Sequence, residues 1–418
     1  MATDNKKIYN CDFCGKKRDE VAKLIVGTDS AICNECIDLC TNILKEEKVE
    51  KLTKTTGIDF KKLSPVEIKT ELDNHVIGQE DAKVTLSVGV SQHFKKLLSP
   101  AEDLKLDKTN IMLMGPTGSG KTLMVQTIAD YLGVPFAICD ATTLTEAGYV
   151  GDDVESIVTR LMLEANGDVE AAQKGIVFID EIDKITKKTK NVSITRDVSG
   201  EGVQQGLLKI IEGSKVRINA NTGGRKHPGQ EMVEVDTSNV LFIVGGAFIG
   251  LEEIINERQN KGGVGFGVVI KDPDQEQSLY DIEPEDLIKY GFIPEFIGRF
   301  GMITHVKELT KEQLVSIMTL PKNAIVKQYK YLFKLDGVNL EFTKEAMEQI
   351  AEKSKEMKTN ARGIKNIVEK ILLNWQYNVQ QEAQKGLTDI TVNKESILDP
   401  ASAITVYTGE TNGKTKKV

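Results

Sequence analysis

No stretch of the chain approaches the ~18 consecutive apolar residues that a membrane-spanning helix requires. The longest apolar run, Val240 to Leu251, carries three glycines and reads as a buried strand and turn. A basic surplus is also missing. Lys and Arg number 54 against 62 Asp and Glu, a net charge of −8, which argues against a general nucleic-acid binder. No secretory leader is evident, since charged and polar residues run straight from the N-terminus into a cysteine cluster, so a cytoplasmic location is expected. Histidines are few, four in all, and none accompanies a recognisable serine or cysteine nucleophile motif, so no peptidase activity of the chain's own is expected.

Against these absences stands a chain of 418 residues, long enough for two to three domains, with 40% hydrophobic and 28% charged residues as in soluble globular proteins. Four of its six cysteines form Cys11-x2-Cys14 and Cys33-x2-Cys36, separated by 18 residues. That spacing fits a four-thiolate zinc site. Each pair can sit on a tight knuckle, and four protein ligands leave no open position, so the site reads as structural. Two disulfides are the alternative, disfavoured without a secretory leader. Cys40 and Cys139 fall outside the pattern and read as buried thiols.

Gly115-Pro116-Thr117-Gly118-Ser119-Gly120-Lys121-Thr122 fits the phosphate-binding loop G-x-x-x-x-G-K-[ST]. An apolar strand over 110–114 precedes it, and Leu123, Val125, Ile128, Ala129 and Leu132 follow at helical spacing. Glycines let the backbone wrap a phosphate while helix N-terminal N–H groups point at the anion. Lys121 can reach the β/γ-phosphates and the Thr122 hydroxyl can ligate magnesium, so ATP and Mg2+ are expected over 115–123, Leu123 included. A second apolar strand, 175–179, ends in Asp180-Glu181, the form of a Walker B element. Asp180 can hold magnesium through its water shell, and Glu181 is placed to orient or deprotonate an attacking water.

Strand candidates at 110–114, 134–138, 175–179 and 240–244 alternate with helical patterns, which implies an α/β fold with a parallel sheet covered by helices. The domain reading is a zinc module over 1–45, a flexible linker over 46–63, a large nucleotide-binding domain over 64–309, a small mainly helical domain over 310–400 and a disordered tail over 401–418. The small domain carries a long apolar helical stripe over 364–379 and a short strand near 388–392.

Several residues stay open on spacing alone. Arg299 follows a short segment opened by Pro294, and Arg362 starts the long striped helix, where the helix dipole disfavours a cation unless an anion lies nearby. Each is a phosphate ligand or a surface arginine paired with a carboxylate. Tyr149-Val150, flanked by Gly148 and Gly151, is a mobile apolar grip or an ordinary turn with a core tyrosine. Arg225-Lys226-His227 is a basic triplet in a polar loop, and Val264-Gly265-Phe266 lies in a glycine-rich run.

Taken in order, the zinc quartet, Gly115–Thr122, Gly148–Gly151, Ile179–Asp183, Gly298-Arg299 and Ala361-Arg362-Gly363 resemble the ClpX family, AAA+ unfoldases that serve as ATP-binding subunits of the Clp protease. The resemblance covers essentially the whole chain. It implies that Arg299 is an arginine finger, Arg362 the sensor-two residue, and Val76 and Ile77 part of the adenine pocket. It further implies that Tyr149 and Val150 line an axial pore, Arg196 lies in a second pore loop, Arg225, Lys226 and His227 surround the pore entrance, and Val264, Gly265 and Phe266 dock on the ClpP peptidase ring. A homohexamer, tagged or unfolded protein substrates and adaptors bound through the zinc module follow from the same likeness. The chain departs from the family at Val264, where isoleucine is usual, at Phe300-Gly301, and in having no evident polar sensor-one side chain after the strand at 240–244. Two other readings share the phosphate loop: a nucleic-acid motor, which the acidic balance disfavours, and a zinc-bearing binding switch, which has no need of Glu181.

Overall fold

A computed structural model of the chain describes residues 10–28, 30–41, 43, 59–98, 106–145, 151–186, 200–219, 232–261, 282–357 and 359–408. They fall into two compact units, Met1–Lys62 and Leu63–Val418.

In the first unit, β1 (Leu24–Val26) and β2 (Ala31–Cys33) form an antiparallel hairpin closed by the Gly27 N–H donating to Ser30 O at 2.7 Å. A helical run over 34–41 follows. Only Cys11, Ala31, Cys33 and Cys36 are buried among its described residues, too little apolar surface to fold so short a segment by itself. Cys40, one helical turn past buried Cys36, is half-buried rather than buried.

The second unit opens with α1 (Pro65–His75) and α2 (Glu80–Leu98). The linker expected over 46–63 ends inside this unit, since Leu63 is fully buried and its carbonyl accepts from Ser91 Oγ. Next come β3 (Asn110–Met114), α3 (Lys121–Leu132), β4 (Phe136–Asp140), α4 (Ser156–Glu164) and β5 (Ile176–Asp180). After α5 (Glu201–Glu212), β6 (Lys215–Asn219) and β7 (Met232–Asp236) pair as an antiparallel hairpin. The large domain closes with β8 (Leu241–Gly246), α6 (Leu251–Lys261), α7 (Pro284–Tyr290), α8 (Pro294–Ile297) and β9 (Phe300–His305).

The central sheet is five-stranded and wholly parallel, in the order β9-β3-β8-β5-β4. Every residue of β3 and β8 is buried, which is why their sequences read as unbroken apolar runs rather than alternations. Phe178 and Phe242 are wholly buried, and burying each contributes about 1.5–3 kcal/mol. β4 begins two residues later than its apolar pattern suggests, because Pro135 has no N–H and only its carbonyl joins the ladder, accepting from Ile176 at 2.9 Å. The fifth strand, β9, has no sequence reading: Gly301 interrupts it and its register shifts between Phe300 and Met302.

The small domain comprises α9 (Lys311–Thr319), α10 (Ile325–Leu335), β10 (Asn339–Phe342), α11 (Lys344–Glu356), α12 (Asn360–Gln384), β11 (Leu387–Val392) and β12 (Ile404–Tyr407). Thr310 caps α9 through a reciprocal capping box with Gln313, which fixes where the chain leaves the large domain. The stripe Ile364, Ile367, Val368, Ile371, Leu372, Trp375 and Val379 faces a core separate from that of the large domain. The expected tail over 401–418 is corrected in its first part. Residues 404–407 complete a three-stranded sheet, β10-β11-β12, and Thr408 Oγ1 donates to Gly386 O at 2.8 Å. The strand is hidden in the sequence because its alternation is inverted, with Thr405 buried and Ile404 and Val406 outward.

Candidate ATP and zinc sites

The carboxyl ends of the central strands carry the phosphate machinery. Residues 115–120 link β3 to α3, and Gly115, Gly118 and Gly120 all take positive φ (141°, 78° and 99°), a run that side chains would strain. A Cβ on Gly118 would come within 2.7 Å of Thr359 O, so the loop is also pressed against the start of α12. The Gly115 N–H donates to Gly246 O at 3.0 Å, which fixes the loop to the end of β8. Ser119 Oγ donates to Pro116 O at 2.7 Å, tightening the turn. Thr117 and Leu123 are exposed at the rim, and Val76 Cγ1 lies 3.8 Å from where a Cβ on Gly120 would sit. Ile77 is half-buried beside it.

Lys121 is buried, and its ammonium donates to Gly115 O at 2.7 Å and Pro116 O at 3.0 Å. Burial lowers its pKa, the carboxylates of Asp180 and Asp183 oppose that, and the charge of Arg362 adds to the lowering. Arg362 is exposed on the first turn of α12, close enough for its charge to reach Lys121. A phosphate between them would relieve the repulsion of two cations. Thr122 Oγ1 donates to Asp180 Oδ2 at 3.2 Å, so the hydroxyl and carboxylate suited to magnesium already lie side by side. Asp180 Oδ1 accepts from the Glu181 N–H at 2.9 Å. Glu181 itself is exposed and left-handed, at φ 54° and ψ 33°, a strained backbone that breaks the line of the strand.

Arg299 lies elsewhere. Its backbone carbonyl accepts from Asn110 Nδ2 at 3.0 Å, and the next residue, Phe300, pairs with Asn110. Asn110 starts β3, whereas the phosphate loop follows its end, so about 13 Å of strand separates the two. The Arg299 guanidinium is half-exposed and ion-paired with Glu212 at the end of α5.

Three residues that spacing did not reveal also belong to the site. Asp183 is buried, and its Oδ1 accepts from the Ala247 N–H at 3.1 Å. A Cβ on Gly246 would stand 2.6 Å from that same oxygen. After β8 the link to the acids is thus a backbone N–H. Asn360, at φ 47°, donates from Nδ2 to Thr117 O at 3.1 Å, tying the small domain to the loop. Gln79 pairs doubly with Lys307, donating to its carbonyl and accepting from its N–H, both at 2.8 Å. The third acid in Asp180-Glu181-Ile182-Asp183, and the place of Gln79 at the end of Val76–Gln79, a segment that the family resemblance puts at the adenine, are the signals that the sequence offered for any of them.

In the zinc module the Sγ atoms of Cys11, Cys14, Cys33 and Cys36 all lie within 4.8 Å of one another. Cys11 to Cys36 is 3.8 Å and Cys14 to Cys33 is 3.7 Å. A zinc–sulfur bond of about 2.3 Å gives a tetrahedral edge of about 3.8 Å, so the quartet fits the ion. The Cys33 N–H donates to Cys11 Sγ at 3.3 Å and the Cys36 N–H to Cys33 Sγ at 3.4 Å, bonds that favour thiolates. Tyr149, Val150, Arg196, Arg225, Lys226, His227, Val264, Gly265 and Phe266 lie outside the described residues.

Comparison with known proteins points to one family. The ClpX C4-type zinc finger family matches residues 9–46, the AAA domain (Cdc48 subfamily) residues 106–303, and the C-terminal, D2-small domain of ClpB protein residues 309–377. A Treponema denticola protein named ATP-dependent Clp protease ATP-binding subunit ClpX is 48% identical over 398 residues, 94% of each chain. Proteins of the same name from Borrelia duttonii and Borrelia recurrentis are 46% identical over 410 residues, 97% of this chain and 94% of theirs.

The chain belongs to the ClpX family. It is an AAA+ ATPase that uses ATP and Mg2+, with Zn2+ in its cysteine quartet. ClpX family membership accounts for all three blocks, zinc module, large domain and small domain, in their observed order. Among the described residues no helix is long and apolar enough to cross a membrane.

Proposed function

We propose that the chain is an ATP-driven protein unfoldase and translocase that works as a ring of six identical subunits in the cytoplasm and passes tagged or unfolded proteins to a ClpP peptidase ring. The placement of Arg299 supports this reading most. It sits at the far end of the sheet from its own phosphate loop with its guanidinium half-exposed, a placement suited to a neighbouring subunit's nucleotide rather than its own. Identity of 46–48% with Clp ATP-binding subunits over nearly the whole chain supports the peptidase partner.

In this reading Val76 and Ile77 contact the adenine, residues 115–123 wrap the phosphates, and Lys121 leaves its loop carbonyls for the β/γ-phosphates. Thr122 and Asp180 hold magnesium, which neutralises charge on the transferring phosphate. Glu181 orients and deprotonates the attacking water. Arg299 of the neighbour stabilises charge that develops on the γ-phosphate, and Arg362 reports its loss to the small domain, aided by Asn360 on the loop. Rotation about the segment that Gln79 holds at Lys307 then converts hydrolysis into movement of one domain against the other. Tyr149 and Val150 grip the polypeptide, Arg196 lines the pore below them, and Arg225, Lys226 and His227 select tags. Val264, Gly265 and Phe266 dock on ClpP, and the zinc module receives adaptors. Nucleic acid has no part in the cycle.

The test is ATP-dependent loss of fluorescence from a stable, tagged fluorescent protein. Unfolding that stops in Glu181→Gln and in Tyr149→Ala supports the reading. Steady ATP hydrolysis with the fluorescence intact, in the presence of ClpP, counts against it.

A further inference from the structure

Gln204 is a fully buried amide on α5 that the chemistry above leaves unused. Its Nε2 donates to Ile185 O at 2.9 Å, in the short turn Ile182–Ile185 that follows the acids, and to Gly291 O at 3.3 Å. Its Oε1 accepts from the Ile293 N–H at 2.9 Å. One side chain therefore cross-links the acid-bearing turn to the segment that runs through α8 into Arg299. Eight residues further along α5, Glu212 holds the Arg299 guanidinium. At 1.5 Å per residue these two anchors stand about 12 Å apart, close to the span of β3. The helix thus reaches from the acids' end of the sheet to the finger's end and grips something at each.

A second connection runs alongside. Asp183 holds Ala247, and the adjoining Phe248 stacks on Phe292 at 5.8 Å. Phe292 stacks on Phe296 at 5.8 Å and Phe296 meets Phe300 at 5.1 Å, directly after Arg299. Packed rings and a saturated buried amide resist continuous deformation, so displacement at one end is carried to the other.

We infer that Gln204 is a positioning residue through which the acid-bearing turn of one subunit sets Arg299 in the neighbouring subunit's site. This rests on reading Arg299 as a finger that acts between subunits. An apolar side chain of the same size fills the space but leaves two carbonyls and one N–H without partners, so the segment before Arg299 loses its register.

Mixed rings test it. Donor subunits carrying Glu181→Gln, in large excess over wild-type chain, hydrolyse nothing themselves but offer Arg299 to their wild-type neighbours. Turnover per wild-type subunit is compared for donors with no further change, with Arg299→Ala, and with Gln204→Met. The Gln204→Met donor is expected to lower its neighbour's kcat roughly three- to thirtyfold with KM held. The Arg299→Ala donor is expected to lower it roughly 10³-fold. Full turnover beside Gln204→Met but not beside Arg299→Ala overturns the inference and leaves the finger standing. Full turnover beside Arg299→Ala overturns the finger, and the inference with it. If Gln204→Met fails to assemble, Gln204→Glu replaces it, keeping the acceptor for Ile293 and losing the donor to Ile185 when ionised. The neighbour's turnover, relative to the unmodified donor at each pH, should then recover as the pH falls and the buried carboxyl regains a proton. A loss that pH does not relieve, or no loss at any pH, contradicts the positioning role.

Discussion

The two ends of the central sheet are built on different terms. At the carboxyl end, Lys121, Thr122, Asp180 and Asp183 each find partners within the chain, and Lys121 and Asp183 are buried. Backbone joins backbone there, through Gly115 and Gly246, and a Cβ at either would collide with its surroundings. At the amino end Arg299 is half-exposed, and an ion pair with Glu212 holds its guanidinium. One end is a preorganised ligand cradle. The other leaves a half-exposed charge held by an ion pair, the arrangement expected under the proposal that a site is shared between neighbours.

The largest effect is expected at the amino end. Arg299→Ala should lower ATP turnover roughly 10³–10⁵-fold, while titration with a fluorescent nucleotide shows binding retained. Loss of binding in step with turnover would place Arg299 in its own subunit's pocket and erase the contrast. At the carboxyl end Glu181→Gln should lower turnover by roughly 10²–10⁴, again with ATP bound, as a filter or titration assay would show.

Glycine substitutions sharpen the comparison further. In Gly246→Ala the new methyl would lie 2.6 Å from Asp183 Oδ1 and 2.8 Å from the Phe248 ring. Denaturant unfolding should then report a loss of roughly 1–3 kcal/mol. Gly298→Ala, beside the finger, meets nothing nearer than 3.6 Å and has helical φ, so its stability should stay within about 0.5 kcal/mol. A comparably small effect belongs to a pair remote from both ends. Lys322 Nζ lies 3.0 Å from Glu71 and chiefly accounts for that carboxylate's lowered pKa. A lowered folded value means the pair stabilises above the ordinary glutamate range and stops doing so as pH falls through the folded value. Because Lys322 is largely exposed, Lys322→Met should cost under about 1 kcal/mol at neutral pH and nothing in acid.

How much of this was legible in the sequence follows the same division. The carboxyl end could be read because its chemistry is local: the phosphate loop is contiguous, and Asp180-Glu181 closes an apolar strand. The zinc quartet was legible for the same reason, two short knuckles at a fixed spacing. Gln204 and Asn360 were not, because each bonds backbone groups that lie far off or carry no side-chain signal, such as Gly291 and Thr117, and Asp183 showed only as a third acid, without its bond to the Ala247 N–H. β9 escaped because a register shift and Gly301 break its pattern, and with it went the fact that Arg299 sits beside Asn110. β12 escaped because its apolar residues face outward.

The claim that the catalytic site is shared is tested most directly by mixing two inactive proteins. Glu181→Gln chains retain the finger and Arg299→Ala chains retain the acid, so each alone should hydrolyse almost no ATP. Mixed in equal amounts and allowed to exchange, they should regain turnover, because some interfaces then pair an intact Glu181 with an intact Arg299 from next door. A mixture that stays as inactive as its components, with mixed assembly confirmed, would contradict a site built from opposite ends of two neighbouring sheets.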